Sequence, residues 1–207
     1  MPDVKAAATT EPSNEVLDLV QRCRAGDEYA FATLFERFQD RLYDLSWAIL
    51  RDETEAEDAV QDTFLRLFER IDRYRGASSF ETWLVAVAVN ICRDRLRRRK
   101  VRRALLFDWL APGWLPRILG RGEDPAAEAL QREERRSLWD AVDRLDQRHR
   151  LPLILRYHYG LSCGEVAEVL GLTTGTVYVR LSEGRQSLRQ MLLGPGETVP
   201  VVKGRME

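Results

Sequence analysis

Between Phe31 and Ile49 the apolar side chains recur at steps of three and four: Phe31, Leu34, Phe35, Phe38, Leu42, Leu45 and Ile49. Residues so spaced share one face of an α-helix, whereas a half-buried strand would repeat every two. A stripe this long must be covered, and the chain carries signals for the helices that cover it. Gly26 followed by Asp27 ends a helical pattern that begins near Glu15 and caps the next one. Thr54 with Glu57 has capping-box spacing and opens a helix carrying Val60, Phe64, Leu65 and Phe68. From Phe80 to Arg103 the pattern pulls two ways. Val85 to Val89 alternates valine with alanine, and β-branched residues favour a strand. The length of the segment and its lack of turn residues favour one helix, apolar in front and basic behind.

The stretch from Ala104 to Glu123 interrupts this order with Pro112, Gly113, Pro116, Gly120 and Gly122, and reads as a linker. Asp124 before Pro125 is a helix-start signal. Helical spacing then runs through Leu130, Leu138, Val142 and Leu145, and through Leu151, Ile154 and Leu155. The expectation is an all-α protein: two small helical domains at 15–103 and 130–193, a linker at 104–129, a disordered start at 1–14 and a flexible tail at 194–207. A length of 207 residues accommodates two such units.

The formal net charge is only −1, but the charges are sorted. Arg93 to Arg103 reads RDRLRRRKVRR, while acidic residues gather from Asp52 to Asp62 and from Glu123 to Glu134. A local nucleic-acid footprint hides in a near-neutral total. Cys23, Cys92 and Cys163 are widely spaced, and with only His149 and His158 beside them they give no zinc pattern, so no metal and no cofactor is expected. Free thiols, no signal-peptide pattern and no apolar run of membrane-spanning length indicate a cytoplasmic protein without stable membrane insertion. No phosphate loop or nucleophile partnered by a histidine is visible, so no enzyme activity and no small-molecule substrate are expected; His158 reads as a half-buried helix residue.

The strongest local motif runs from Ser162 to Val177, SCGEVAEVLGLTTGTV. Ser162 and Glu165 form a capping box, Val166, Ala167 and Leu170 an inner face, Gly171 a tight turn, and Thr173 a cap for a second helix that Val177 and Leu181 hold against the first. This is a helix-turn-helix pattern, whose second helix enters the major groove of DNA. Its outward residues are Thr174, Thr176, Tyr178, Arg180 and Arg185. In the first domain, Asp58, Gln61, Asp62 and Arg66 flank Phe64 and Leu65, either as an ordinary amphipathic face or as a dock for a partner helix bearing arginines. Beyond it, Tyr74, Arg75, Ser78, Ser79, Phe80, Trp83, Asn90, Arg93 and Arg97 mix aromatics with cations, the combination that holds single-stranded nucleic acid. The other reading makes Phe80 and Trp83 core and the basic run a solvated helix end.

Two ordered blocks carry a family resemblance. The first is DAVQDTFL from Asp58, FETWL from Phe80 and AVN from Ala88 with the basic run behind it; the second is EVA from Glu165 through GTV to Arg180 and Leu181. They resemble regions 2 and 4 of bacterial sigma factors, and the absence of a domain between them resembles the extracytoplasmic-function subfamily. The resemblance implies a transcription initiation factor with core RNA polymerase (β′ and β subunits), promoter DNA and an anti-sigma factor as partners. It implies that Asp58, Gln61, Phe64 and Leu65, with Asp62 beside them, meet the β′ coiled coil. Arg75 to Ser79, Phe80, Trp83 and Asn90 would take bases of the melted −10 element, Arg93 and Arg97 its backbone, and Thr174, Thr176, Tyr178, Arg180 and Arg185 the −35 duplex.

The chain departs from the family pattern at Asp146, where proline is usual, at Tyr178, where a basic residue is usual, and at Glu183-Gly184, which lowers the charge and helicity of the recognition helix. A weak independent grip on duplex DNA is the expectation. The apolar linker around Trp109 and Trp114 fits a strap on the chain's own domains or a dock for an inhibitor or a polymerase channel, with a membrane-surface segment as the least suited reading. A plain helix-turn-helix regulator that never replaces a sigma subunit is the rival for the whole chain.

Overall fold

The computed structural model describes residues 14–107 and 127–193, and all regular secondary structure in them is helical. The first unit contains α1 (Asn14–Arg24), α2 (Glu28–Leu50), α3 (Glu53–Arg70) and α4 (Phe80–Phe107). Asp27 caps α2, its carboxylate accepting from the N–H groups of Tyr29 and Ala30. Leu34, Phe38, Leu42, Leu45 and Ile49 of the periodic stripe are buried. Arg51, in the left-handed conformation at φ 56°, ends α2 by donating its N–H to the Trp47 carbonyl. That leaves Asp52 alone to start α3, and its carboxylate accepts from the Glu55 N–H. The expected Thr54–Glu57 capping box therefore does not form; Thr54 sits inside the first turn.

α4 is one continuous helix, as its length suggests, and runs past the expected end at Arg103 to Phe107. The alternating valines are helical because burial overrides their strand propensity. Leu84, Val85, Ala88, Val89 and Cys92 are at most 1 % exposed, and their spacing is that of one helical face. Burial also pushes the Cys92 thiol up to about 11.

The second unit comprises α5 (Ala127–Arg144), α6 (Gln147–Leu153) continuing into a π turn (Ile154–His158), α7 (Cys163–Leu170) and α8 (Thr174–Leu193). Asp146, at the place where the family pattern has proline, caps α6 by accepting from the His149 N–H. The Ser162–Glu165 capping box is formed and Gly171 is left-handed at φ 65°. Val169, rather than Leu170, joins Val166 and Ala167 in the core; Leu170 is half-buried. His158 is exposed rather than half-buried, its ring meeting the edge of Trp139. The expected disordered start, the tail, the Asp124–Pro125 cap and the linker tryptophans Trp109 and Trp114 lie outside the described residues.

The two units pack together. Asp143 on α5 accepts from Arg51 at 3.3 Å and from Arg150 at 2.8 Å. Arg150 also donates to the carbonyls of Ala48 and Ile49, two of the acceptors that the C-terminal end of α2 leaves without helical partners. The Arg51 guanidinium lies over the rings of Trp47 and Trp139, which meet edge to face at 5.9 Å. A second junction joins α4 to the helix-turn-helix: the Tyr159 hydroxyl donates to Glu81, which also pairs with Arg41, and the Thr82 hydroxyl donates to Glu165.

Candidate nucleic-acid and partner interfaces

The recognition helix is built by the packing its sequence specifies. The Thr173 hydroxyl oxygen accepts from the Thr176 N–H, and Val177 and Leu181 are buried against α7. Thr174, Tyr178 and Arg185 are exposed, while Thr176 and Arg180 are half-buried. Arg185 donates to the Tyr157 hydroxyl at 3.0 Å, so its guanidinium is braced from outside the helix. Glu183 does not stand as a free carboxylate on this surface; it lies 2.9 Å from the His149 ring. Gly184 is buried where α8 crosses α6, and a Cβ there would lie 2.9 Å from Leu153 Cδ1. The glycine that reads as a helix weakener is a crossing point.

The start of α4 holds the aromatic segment. Ser79 caps the helix, its hydroxyl oxygen accepting from the Thr82 N–H, and the Tyr74 hydroxyl donates to the Ser78 carbonyl, which ties the loop between them. Arg75 is exposed and Ser78 and Ser79 are half-buried. Trp83 is half-buried, tilted against Tyr74 and Phe80. Phe80 is 1 % exposed, packed between Phe38 and Tyr74, so it supports the loop from beneath and presents no face for a base. The bland reading of Phe80 as core is the correct one. Asn90, Arg93 and Arg97 line a cleft with Arg51, Arg150, Asp143 and Asp146; Asn90, Arg93 and Arg97 are exposed and stand at helical spacing.

The basic run has two faces. Arg93, Arg97 and Lys100 look into that cleft. Arg95, Arg98 and Arg102 line a second surface with Glu55 and Asp58 of α3, where Arg95 pairs with Asp58 and Asp62, and Arg99 borders both surfaces. Part of the mutual repulsion that points to phosphate is therefore relieved inside the protein. On α3, Asp58, Gln61 and Leu65 are exposed and Asp62 is half-buried, a one-face spacing. Phe64 is 3 % exposed and buried against Phe31 and Phe35, so it is core beneath this face and does not project from it. Leu65 and Phe68, 63 % and 66 % exposed, border an apolar groove with Phe31 and Phe35.

The residues that act between elements, Arg95, Glu81, Thr82, Arg150 and the Asp143 bridge, escape a reading of the sequence alone. The spacing of Arg95, Arg98 and Arg102 was the available signal for a second basic face. Among the described residues no cluster could hold a metal ion, and no helix is long and apolar enough to cross a membrane.

The described residues form a four-helix unit with an acidic outer face and a basic terminal helix, joined to a helix-turn-helix unit. Residues 34–102 match Sigma-70 region 2 and residues 141–190 match Sigma-70 region 4. The chain is 30 % identical over 176 residues to ECF RNA polymerase sigma factor SigW of Bacillus subtilis, covering 84 % of this chain and 94 % of that one. It is 32 % identical over 188 residues to ECF RNA polymerase sigma factor SigE of Mycolicibacterium smegmatis, covering 88 % and 70 %. The chain belongs to the extracytoplasmic-function family of RNA polymerase sigma factors. The fold is shared with CnrH, solved in complex with the cytosolic domain of CnrY, at TM-score 0.63 and 23 % identity over 88 % of this chain and 99 % of that one. It is shared also with Bartonella quintana RpoE, solved with the anti-sigma factor NepR, at TM-score 0.60 and 20 % identity over 80 % and 98 %.

Proposed function

We propose that this cytoplasmic, non-catalytic protein binds core RNA polymerase through the outer face of α3 and directs it to promoters. Asp58, Gln61, Asp62 and Leu65 form that docking face, with Phe64 beneath them. Arg75, Ser78 and Ser79 with Trp83 and Asn90 receive unpaired bases of the −10 element, supported by Phe80, and Arg93 and Arg97 follow its backbone. Thr174, Thr176, Tyr178, Arg180 and Arg185 read the −35 duplex. Opening the duplex is driven by base–aromatic stacking and by binding to polymerase, without a covalent step. An anti-sigma factor is the proposed inhibitor, in keeping with the complexes formed by CnrH and RpoE.

The observation that carries this reading is the cleft face of α4: Asn90, Arg93 and Arg97 are exposed in one line along the helix that follows the Tyr74–Ser79 loop. A plain helix-turn-helix regulator has no use for it. With reconstituted holoenzyme, Arg93→Ala with Arg97→Ala is expected to lower the salt dependence of promoter-complex stability by about 1.4 in log–log slope, about 0.7 for each single-strand phosphate that is no longer neutralised. An unchanged slope and affinity would remove this face from the DNA path.

A further inference from the structure

The acidic docking face of α3 is not left to itself. Arg95, on the side of α4 away from the cleft, forks across one helical turn of α3: one guanidinium nitrogen donates to Asp62 at 2.6 Å and the other to Asp58 at 3.3 Å. Its side chain is 20 % exposed, against 53 % for Asp58 and 45 % for Asp62. The Nε is buried with no partner. The guanidinium is thus backed into the protein with its fork aimed outward at the two carboxylates.

We propose that Arg95 is a positioning residue for polymerase docking, holding the Asp58 and Asp62 carboxylates in the arrangement the partner meets. This rests on the assignment of the α3 face to polymerase. Three physical points support it. The two carboxylates stand one turn apart and repel each other unless a cation lies between them. A guanidinium has the planar fork to bridge both at once, which a lysine lacks. Each carboxylate gives Arg95 a single oxygen, Oδ2, and among the described residues the other oxygen makes no hydrogen bond, so it remains for a cation on the partner. Fixing these rotamers before docking removes an ordering cost from binding. Within one basic run, then, Arg93 and Arg97 serve the DNA side and Arg95 serves the protein side.

The test is a mutant cycle in the full chain, titrated against labelled core RNA polymerase: Arg95→Gln, Arg95→Lys, Asp58→Asn with Asp62→Asn, and the triple variant. Arg95→Gln is expected to weaken core binding by about fivefold, the scale of a partly exposed charge pair. In the Asp58→Asn, Asp62→Asn background it should add no further loss. Arg95→Lys, which keeps the charge and the fold, should show a smaller loss that vanishes in the same background, and it carries the test if Arg95→Gln does not fold. Holoenzyme formed at saturating concentration should keep the wild-type salt slope on promoter DNA.

A loss of the same size with and without the two aspartates would overturn the proposal, and so would a lowered salt slope, which would make Arg95 a phosphate ligand. The failure of the underlying reading looks different. If the wild-type chain does not bind core, or if the double aspartate variant binds as tightly as wild type, the docking face itself is misassigned and the positioning role falls with it.

Discussion

Asp143→Asn is expected to part the two halves of the molecule. The substitution keeps the shape of the side chain and removes the one charge that serves both Arg51 and Arg150. Arg150 is 11 % exposed, so its guanidinium has little water to turn to. Burial already lowers its affinity for a proton, and Arg51 beside it works in the same direction. Without Asp143 two neighbouring cations face each other with no counter-ion, and part of the Arg51 guanidinium is buried without a partner even in the intact protein. Asp143 is itself a third exposed, which moderates the loss. A cost of about 2 kcal/mol to the interface is expected, roughly thirtyfold in the equilibrium between closed and separated units. Small-angle scattering should show a larger radius of gyration, with each unit still helical by circular dichroism. A scattering profile identical to wild type would mean that this bridge does not hold the units together.

Gly184→Leu is expected to break the second unit, and Gly184→Ala to leave it nearly intact. The site is tight: a Cβ would sit 2.9 Å from Leu153 Cδ1 and 3.3 Å from His149 Cβ and Leu153 Cγ. An alanine displaces the end of the Leu153 side chain and needs His149 Cβ and Leu153 Cγ to give by a few tenths of an ångström, and its gain of about 1 kcal/mol in helix propensity over glycine offsets that strain. A leucine must push α8 off α6, a cost of about 3 kcal/mol at the upper end of core overpacking. Val177 and Leu181 lie on the same helix, so the recognition surface would be lost with it. Thermal unfolding of the two variants checks both statements; a leucine variant as stable as wild type would mean that Gly184 is not a crossing point.

Asp143 and Gly184 also mark where a sequence stops being legible. Features written into one helix were readable: the stripe from Phe31 to Ile49, the Asp27 cap, the Ser162–Glu165 capping box and the left-handed turn at Gly171. Each is a local rule with a fixed spacing. Gly184 reads wrongly because its reason lies on another helix, in Leu153 and His149. Thr54 loses the cap to Asp52 because α2 ends at a left-handed Arg51 that no glycine or asparagine advertises. Phe64 and Phe80 fall on working surfaces in a sequence reading because a motif names its core and its surface residues alike, and only packing separates them. The basic run is readable as charge, but its division between a cleft side and an α3 side depends on which neighbour each face meets.

In the proposed function one helical unit holds the transcription machine and open strands while the other holds closed duplex. Promoter-selective transcription by purified core RNA polymerase, with and without this chain, puts that division of roles to the test. RNA starting at defined sites is expected only when the chain is added, with an absolute need for the acidic face of α3. Tight binding to duplex DNA without any association with core, and no RNA made from it, would show that the chain is not a working sigma subunit.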